Sequence, residues 1–136
     1  MLFRSLRPNI HDGYLLGIRL PEEGLAHLTM RTLSGQQFIL EMAGVDRLLC
    51  DGFAEGNIVR EVQITTGREP DKEALQRVLG SPDPDVQDPY LSQQKRWVDG
   101  VKQAIIDGRS TLVELVPSYG CEVLGLCSTV RFWQDC

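Results

Sequence analysis

The sequence holds few of the residues that most often do chemistry near neutral pH. Among its 136 residues are two histidines, His11 and His27. An imidazole is the side chain whose unperturbed charge change falls closest to pH 7, so the shortage narrows the room for acid-base catalysis. His11 adjoins Asp12 in an expected loop, and His27 falls on the polar side of an expected strand. Neither is placed beside a Cys or Ser nucleophile by its spacing, and both read as surface or turn residues. Missing too are Gly-x-x-x-x-Gly-Lys-Ser/Thr, Gly-x-Gly-x-x-Gly and Gly-x-Ser-x-Gly, the local signatures of phosphate loops and nucleophile elbows. No window approaches the roughly 18–20 apolar residues of a membrane helix, so no membrane partner is expected. Arg4 and Arg7 near the start are not followed by an apolar core or a small-residue cleavage site, which predicts a cytoplasmic protein.

Positive charge is also in deficit. Lys plus Arg number 14 against 19 Asp plus Glu, a net charge of −5. Such a balance repels phosphate backbones at long range and disfavours nucleic acid, whereas a basic protein would be attracted. The four cysteines are Cys50, Cys121, Cys127 and Cys136. A cytoplasmic chain keeps its thiols reduced. If residues 121–132 form one strand, Cys121 and Cys127 lie about 20 Å apart at ~3.3 Å per residue. A disulfide tolerates a Cα separation of only about 7 Å, and one zinc site spans no more, so this pair can form neither.

What remains is an ordinary globular composition, with 42% hydrophobic and 24% charged residues, consistent with one domain over residues 1–136. Strand patterns fill the first half. Residues 14–20 are a mostly apolar run between turn-forming Asp12-Gly13 and Pro21. Residues 26–33 alternate, with Ala26, Leu28 and Met30 on one side and His27, Thr29 and Arg31 on the other. Ser34-Gly35 then predicts a tight hairpin into 36–42, where Phe38, Leu40 and Met42 share a face. Residues 45–50 and the β-branched run 57–66 predict two further strands.

After Gly67 the period changes. Asp71 can cap a short helix to about residue 79, stopped by Gly80. The acidic, proline-rich stretch 81–89 is a connector. Asp88 as N-cap with Pro89 at the first helical position opens a long helix that ends near Asp107-Gly108. On a helical wheel Tyr90, Leu91, Gln94, Trp97, Val98, Val101, Ala104 and Ile105 fall within an arc of about 140°, opposite Lys95, Arg96, Asp99, Lys102 and Gln103. This stripe predicts a helix docked on the sheet along its length. Residues 110–116 and 121–132 flank Pro117-Ser118-Tyr119-Gly120 as a second hairpin. The expected fold is α+β: a mainly antiparallel sheet of about seven strands with one long and one short helix packed on it.

Candidate binding residues follow from charge and aromatic placement. Asp46, Asp51 and Glu55 cluster around one expected turn and suit a basic partner. With Glu61 on the next strand, converging acids can also bind a divalent cation or do acid-base work, against the plainer reading of turn-forming Asp and solvated charge. Gly56-Asn57 can hold an unusual backbone that directs Glu55 and Asn57 into a groove; the plainer alternative is a turn with Phe53 tucked into the core. Tyr119 and Trp133 are aromatic anchors of the kind enriched at interfaces. Glu114 and Arg60 interrupt apolar strands, either as partners in the core or as markers of a wet face. Asp83, Asp85 and Asp88 copy the first ligands of a calcium loop, yet its sixth position is Asp88 instead of Gly and its twelfth Gln94 instead of Glu, so no metal is expected. No catalytic residue and no cofactor is assigned.

Three readings of function remain. The first is a non-catalytic protein-binding domain, of which an immunity-type protein that neutralises a basic toxin is one physical instance. The second is a small-molecule binder or enzyme with a pocket between the sheet and the long helix. The third is a structural subunit that forms a homodimer through strand edges or its aromatic C-terminal segment.

Overall fold

The computed structural model describes residues 2–4 and 8–135. Arg7 and Cys136, weighed above, lie outside them. Among the described residues the chain forms an α+β fold in which nine strands make one antiparallel sheet. They are β1 (Leu2–Arg4), β2 (Tyr14–Arg19), β3 (Leu25–Arg31), β4 (Gln37–Ala43), β5 (Arg47–Asp51) and β6 (Asn57–Thr65), then β7 (Thr111–Tyr119), β8 (Glu122–Cys127) and β9 (Thr129–Asp135). Between β6 and β7 come helices α1 (Lys72–Leu79) and α2 (Tyr90–Ile106). The spatial order is β1-β9-β4-β3-β2-β6-β7-β8-β5.

Two features raise the strand count above the expected seven. The three residues of β1 pair with β9, a partner more than a hundred positions away that no local pattern announces. The expected strand 121–132 is broken at Ser128, whose amide donates to the Ala43 carbonyl at 2.9 Å. At the same corner the Asp46 amide donates to the Leu126 carbonyl at 2.8 Å, so the β4–β5 and β8–β9 connections turn together. On the opposite side β2 joins β6 through only two residue pairs, Tyr14 with Ile58 and Leu15 with Asn57. The sheet therefore bends back on itself, and its two halves face each other. Gly125 marks how close they come: a Cβ there would lie 2.5 Å from the Met42 sulfur.

The inner faces meet in one core, where Ala26, Leu28 and Met30 of β3 pack with Leu40 and Met42 of β4, Val113 and Leu115 of β7 and Val123 of β8. These are the in-facing positions that the period-2 pattern selects. The hairpin between β3 and β4 is wider than a two-residue turn. Thr32 and Gln36 close it through an N–H···O bond of 2.9 Å, with Leu33, Ser34 and Gly35 as the loop.

A second core forms on the outer face of β7, β8 and β5. There Ala74, Leu75, Val78 and Leu79 of α1 and Ile105 of α2 cover Leu112, Leu124 and Leu126. Helix α1 begins and ends where its caps predict, after Asp71 and before Gly80. Helix α2 starts at Tyr90 with Pro89 as its N-cap residue, and Asp88 still serves the first turn by accepting from the Ser92 amide and hydroxyl at 3.1 and 2.6 Å.

Helix α2 packs on the sheet as expected, but through only part of its stripe. Ile105 is its one buried residue, Val98 and Val101 are half-buried, Trp97 lies under the Arg47 guanidinium of β5 at 5.0 Å, and Tyr90 and Leu91 face solvent, Tyr90 with 68% of its surface exposed. The helix is held at its C-terminal end, where the Gly67 amide donates to the Ile105 carbonyl at 2.8 Å. Its first turn, which follows the proline-rich connector, stays exposed.

Candidate functional site

The two helices cover only part of the outer face of β6-β7-β8-β5. Residues opposite each other in register share a face, so the uncovered end can be read from the ladders. Glu61 lies opposite Val116, and Asp51 opposite Glu122, which places three carboxylates in one row across the strands. One step nearer the helices Glu114 stands between Gln63 and Leu124. At ~7–8 Å for diagonal cross-strand neighbours, Glu61 and Glu122 both flank it. Asp71 at the head of α1 adds its charge to the same field.

Few cations answer these acids. Arg77 of α1 is bidentate on Glu122, its Nη1 donating to Oε2 at 2.6 Å. Arg60 comes within 3.6 Å of Glu61, which also accepts from the Gln63 amide at 2.9 Å. Glu114 is only 7% exposed, and its Oε2 is buried without a hydrogen-bond partner among the described residues. Burial pushes this carboxyl above its ordinary value, and the negative charges of Asp71, Glu122 and Glu61 push in the same direction. Arg60, the other pattern breaker, is exposed and is not its partner.

A stability prediction follows from that shift. The folded protein holds the Glu114 proton more tightly than the unfolded chain, so stability drops as pH rises from the ordinary value of 4.5 toward the raised one. The full penalty persists above it. Glu114→Gln removes the penalty: its urea midpoint should exceed the parent's near pH 8 and match it near pH 4. A midpoint difference independent of pH would contradict this.

The sequence-derived candidates do not all converge. Asp51 belongs to the acidic row. Asp46 lies at the other end of β5, roughly 16 Å away at ~3.3 Å per residue, and Glu55 sits exposed in the turn before β6. Asn57 does not point into a groove. It is buried: its Oδ1 accepts from the Ala54 and Cys121 amides at 2.8 and 3.0 Å, and its Nδ2 donates to the Ala54 carbonyl at 2.7 Å. This side chain ties the 52–56 loop to the β7–β8 turn. Phe53 is not tucked into the core, since 56% of its surface is exposed, and Tyr119 is exposed by 58%. Phe53 follows Asp51 by two residues and Tyr119 ends β7 three residues before Glu122, so both lie at the end of the sheet that carries the acidic row.

Trp133 lies elsewhere, on the outer face of β3-β4-β9. There His27, Glu41 and Arg131 are aligned in register, His27 Nε2 sits 2.9 Å from Glu41 Oε2, and Arg131 Nε donates to Glu41 Oε1 at 2.9 Å. The His27 and Trp133 rings meet edge to face at 5.5 Å, beneath the Arg131 guanidinium. Burial alone would raise the Glu41 carboxyl, but hydrogen bonds and charge from Arg131 and His27 outweigh it and hold Glu41 below its ordinary value. His27 is thus buried rather than at the surface, because Trp133 arrives from a strand about a hundred positions later. No hydroxyl or thiol engages its Nδ1 among the described residues, so the cluster lacks a nucleophile.

Between α1 and α2 runs a groove of about 700 Å³, with Pro70, Leu75, Pro82, Leu91 and Val98 on its walls. It lies between the helices, not between the sheet and α2, and no strand residue lines it. Lys95 and Lys102, on the polar side of the wheel, reach its rim; Lys102 is paired with Glu69 at 2.9 Å.

Thiol chemistry finds no support at the described cysteines. Burial raises Cys50 and Cys121 and pushes Cys127 up to about 12, opposite to the shift a reactive thiolate needs. Among the described residues no three His, Cys, Asp or Glu side chains are grouped to hold a metal ion, and no helix is long and apolar enough to cross a membrane. Comparison with family models, curated proteins and solved structures finds no match to this chain.

Proposed function

We propose that the chain is a non-catalytic binding domain for a basic protein, engaged through the acidic end of its outer sheet face. The observation that supports this reading most is the row of Asp51, Glu122 and Glu61 with Glu114 behind it, left open by the helices and, among the described residues, answered by Arg77 and Arg60. Charges so placed raise the association rate of a complementary partner, and Phe53 and Tyr119 at its margin supply the desolvated area that charge by itself does not. Neutralisation of a basic toxin is one form this binding can take. The test is titration of the purified partner, identified by capture from the source cells or as the adjacent gene's product, against the parent and a D51N/E61Q/E122Q variant. Affinity should fall steeply with salt, and by about tenfold or more in the variant. A partner that is acidic, or that binds the variant as tightly as the parent, would overturn the reading.

The groove supports a second reading, a small apolar ligand held between α1 and α2 and met by lysine at the rim. A medium-chain fatty acid should then raise the melting temperature of the parent and not of Leu91→Lys, which places a charge on the groove wall at an exposed position. Equal shifts in both proteins, or none in the parent, would remove this alternative.

A further inference from the structure

We propose that Glu114 is the anchor for one cationic side chain, a guanidinium or ammonium group that the partner inserts through the acidic row. The inference rests on the binding reading above and adds the group that is bound and the place where it ends.

Hydrogen bonding is the first ground. Buried polar atoms in folded proteins almost always find a partner, and the exceptions ask for an explanation. The donors nearest Glu114 are already committed: Gln63, its cross-strand neighbour, donates to Glu61, and Arg77 donates to Glu122. Among the described residues none donates to its buried Oε2, which leaves that oxygen free to accept from a bound group. Charge is the second ground. Glu61 faces it from β6, Glu122 with its partner Arg77 from β8 and α1, and Asp71 from the start of α1. A second anion is repelled by that field and a cation is drawn in. A metal ion is the poorer fit, since these carboxylates are not grouped at coordinating distance, whereas an arginine or lysine side chain reaches several acids along its length.

The raised proton affinity of Glu114 makes a proton the cation's competitor for this carboxyl. Binding then displaces that proton: the O–H bond of the carboxyl breaks, the proton leaves to solvent, and the carboxylate accepts N–H bonds from the incoming group. Tighter binding at higher pH follows over the range in which free Glu114 is still protonated.

Carbon-detected NMR of the full chain, following the Glu and Asp carboxyl carbons through a pH titration, tests this with triarginine and trilysine peptides as probes. Triglycine and calcium serve as controls. The Glu114 midpoint should fall by at least about one pH unit on saturation with either cationic peptide. Glu114→Gln, whose spectrum shows whether it is folded, should bind the peptides several-fold more weakly and without the pH dependence. If only Asp51, Glu61 and Glu122 respond, the peptide binds on the open row: the anchor is refuted while the binding reading stands. If no carboxyl responds to a cationic peptide, both fail. A Glu114 response to calcium equal to that of the peptides would refute the organic cation.

Discussion

Ile105→Ala is expected to destabilise the protein by about 3 kcal/mol, the usual cost of cutting a fully buried branched side chain back to its Cβ. Leu91→Ala, on the same apolar stripe of α2, should stay within about 0.5 kcal/mol of the parent, as exposed substitutions do. Sequence alone ranks the two residues as equals. The structure separates them, since Ile105 is fully buried in the core formed with α1, β7 and β8 while nearly half of Leu91 is open to solvent. Urea denaturation of the two variants gives the comparison directly. Similar losses would mean that the N-terminal half of α2 lies down on the sheet in solution.

Asn57→Ala should cost a similar amount. It deletes an amide that holds three backbone groups and leaves the Ala54 N–H, the Ala54 carbonyl and the Cys121 N–H without partners. With net hydrogen-bond contributions of about 1 kcal/mol each, and more where a buried donor is orphaned, the expected loss is about 3 kcal/mol, or roughly 10 °C in Tm. Asn57→Asp keeps the accepting oxygen and should lose less. Gly120→Ala probes the same bracket from the other side. Gly120 has φ of 87°, where an L side chain is strained, and an added Cβ would collide with the Asn57 side-chain oxygen. If Asn57→Ala melts with the parent, the bracket does not hold this end of the sheet.

How much of this was legible in the sequence depended on how local the cause is. Asp71, Gly80 and Gly108 act within a turn of their own helix ends, and those limits agree with the structure to within a residue or two. The alternation in β3 and β4 correctly sorted Leu28, Met30, Leu40 and Met42 to one face. Periodicity records that a residue's neighbours share its face; what covers that face is set elsewhere. His27 occupies a polar position and is nonetheless buried, because Trp133 and Arg131 arrive on β9. The α2 stripe is amphipathic by any wheel, but its period does not say how far it docks: Ile105 is buried while Tyr90 and Leu91 are exposed. Gly56-Asn57 announced a turn, whereas the Cys121 amide that receives the Asn57 side chain is 64 positions off. The acidic site was half visible. Asp51 and Glu61 were noticed as charges near a turn, and Glu114 as a break in an apolar strand. Their convergence needed the β6-β7-β8-β5 register, which no short-range pattern encodes.

The position of β9 governs how the molecule can be made. It is the last strand along the chain, yet it lies between β4 and β1 and is bonded to both. During synthesis β3 and β4 can zip together early through a short loop, but the far side of β4 then waits, its amides and carbonyls open, for a segment translated some ninety residues later. Contacts of that span close slowly, and a chain interrupted before residue 129 would offer β4 as a template for another chain to pair with. Until residues 129–135 are in place, a nascent molecule therefore keeps an unpaired β4 edge.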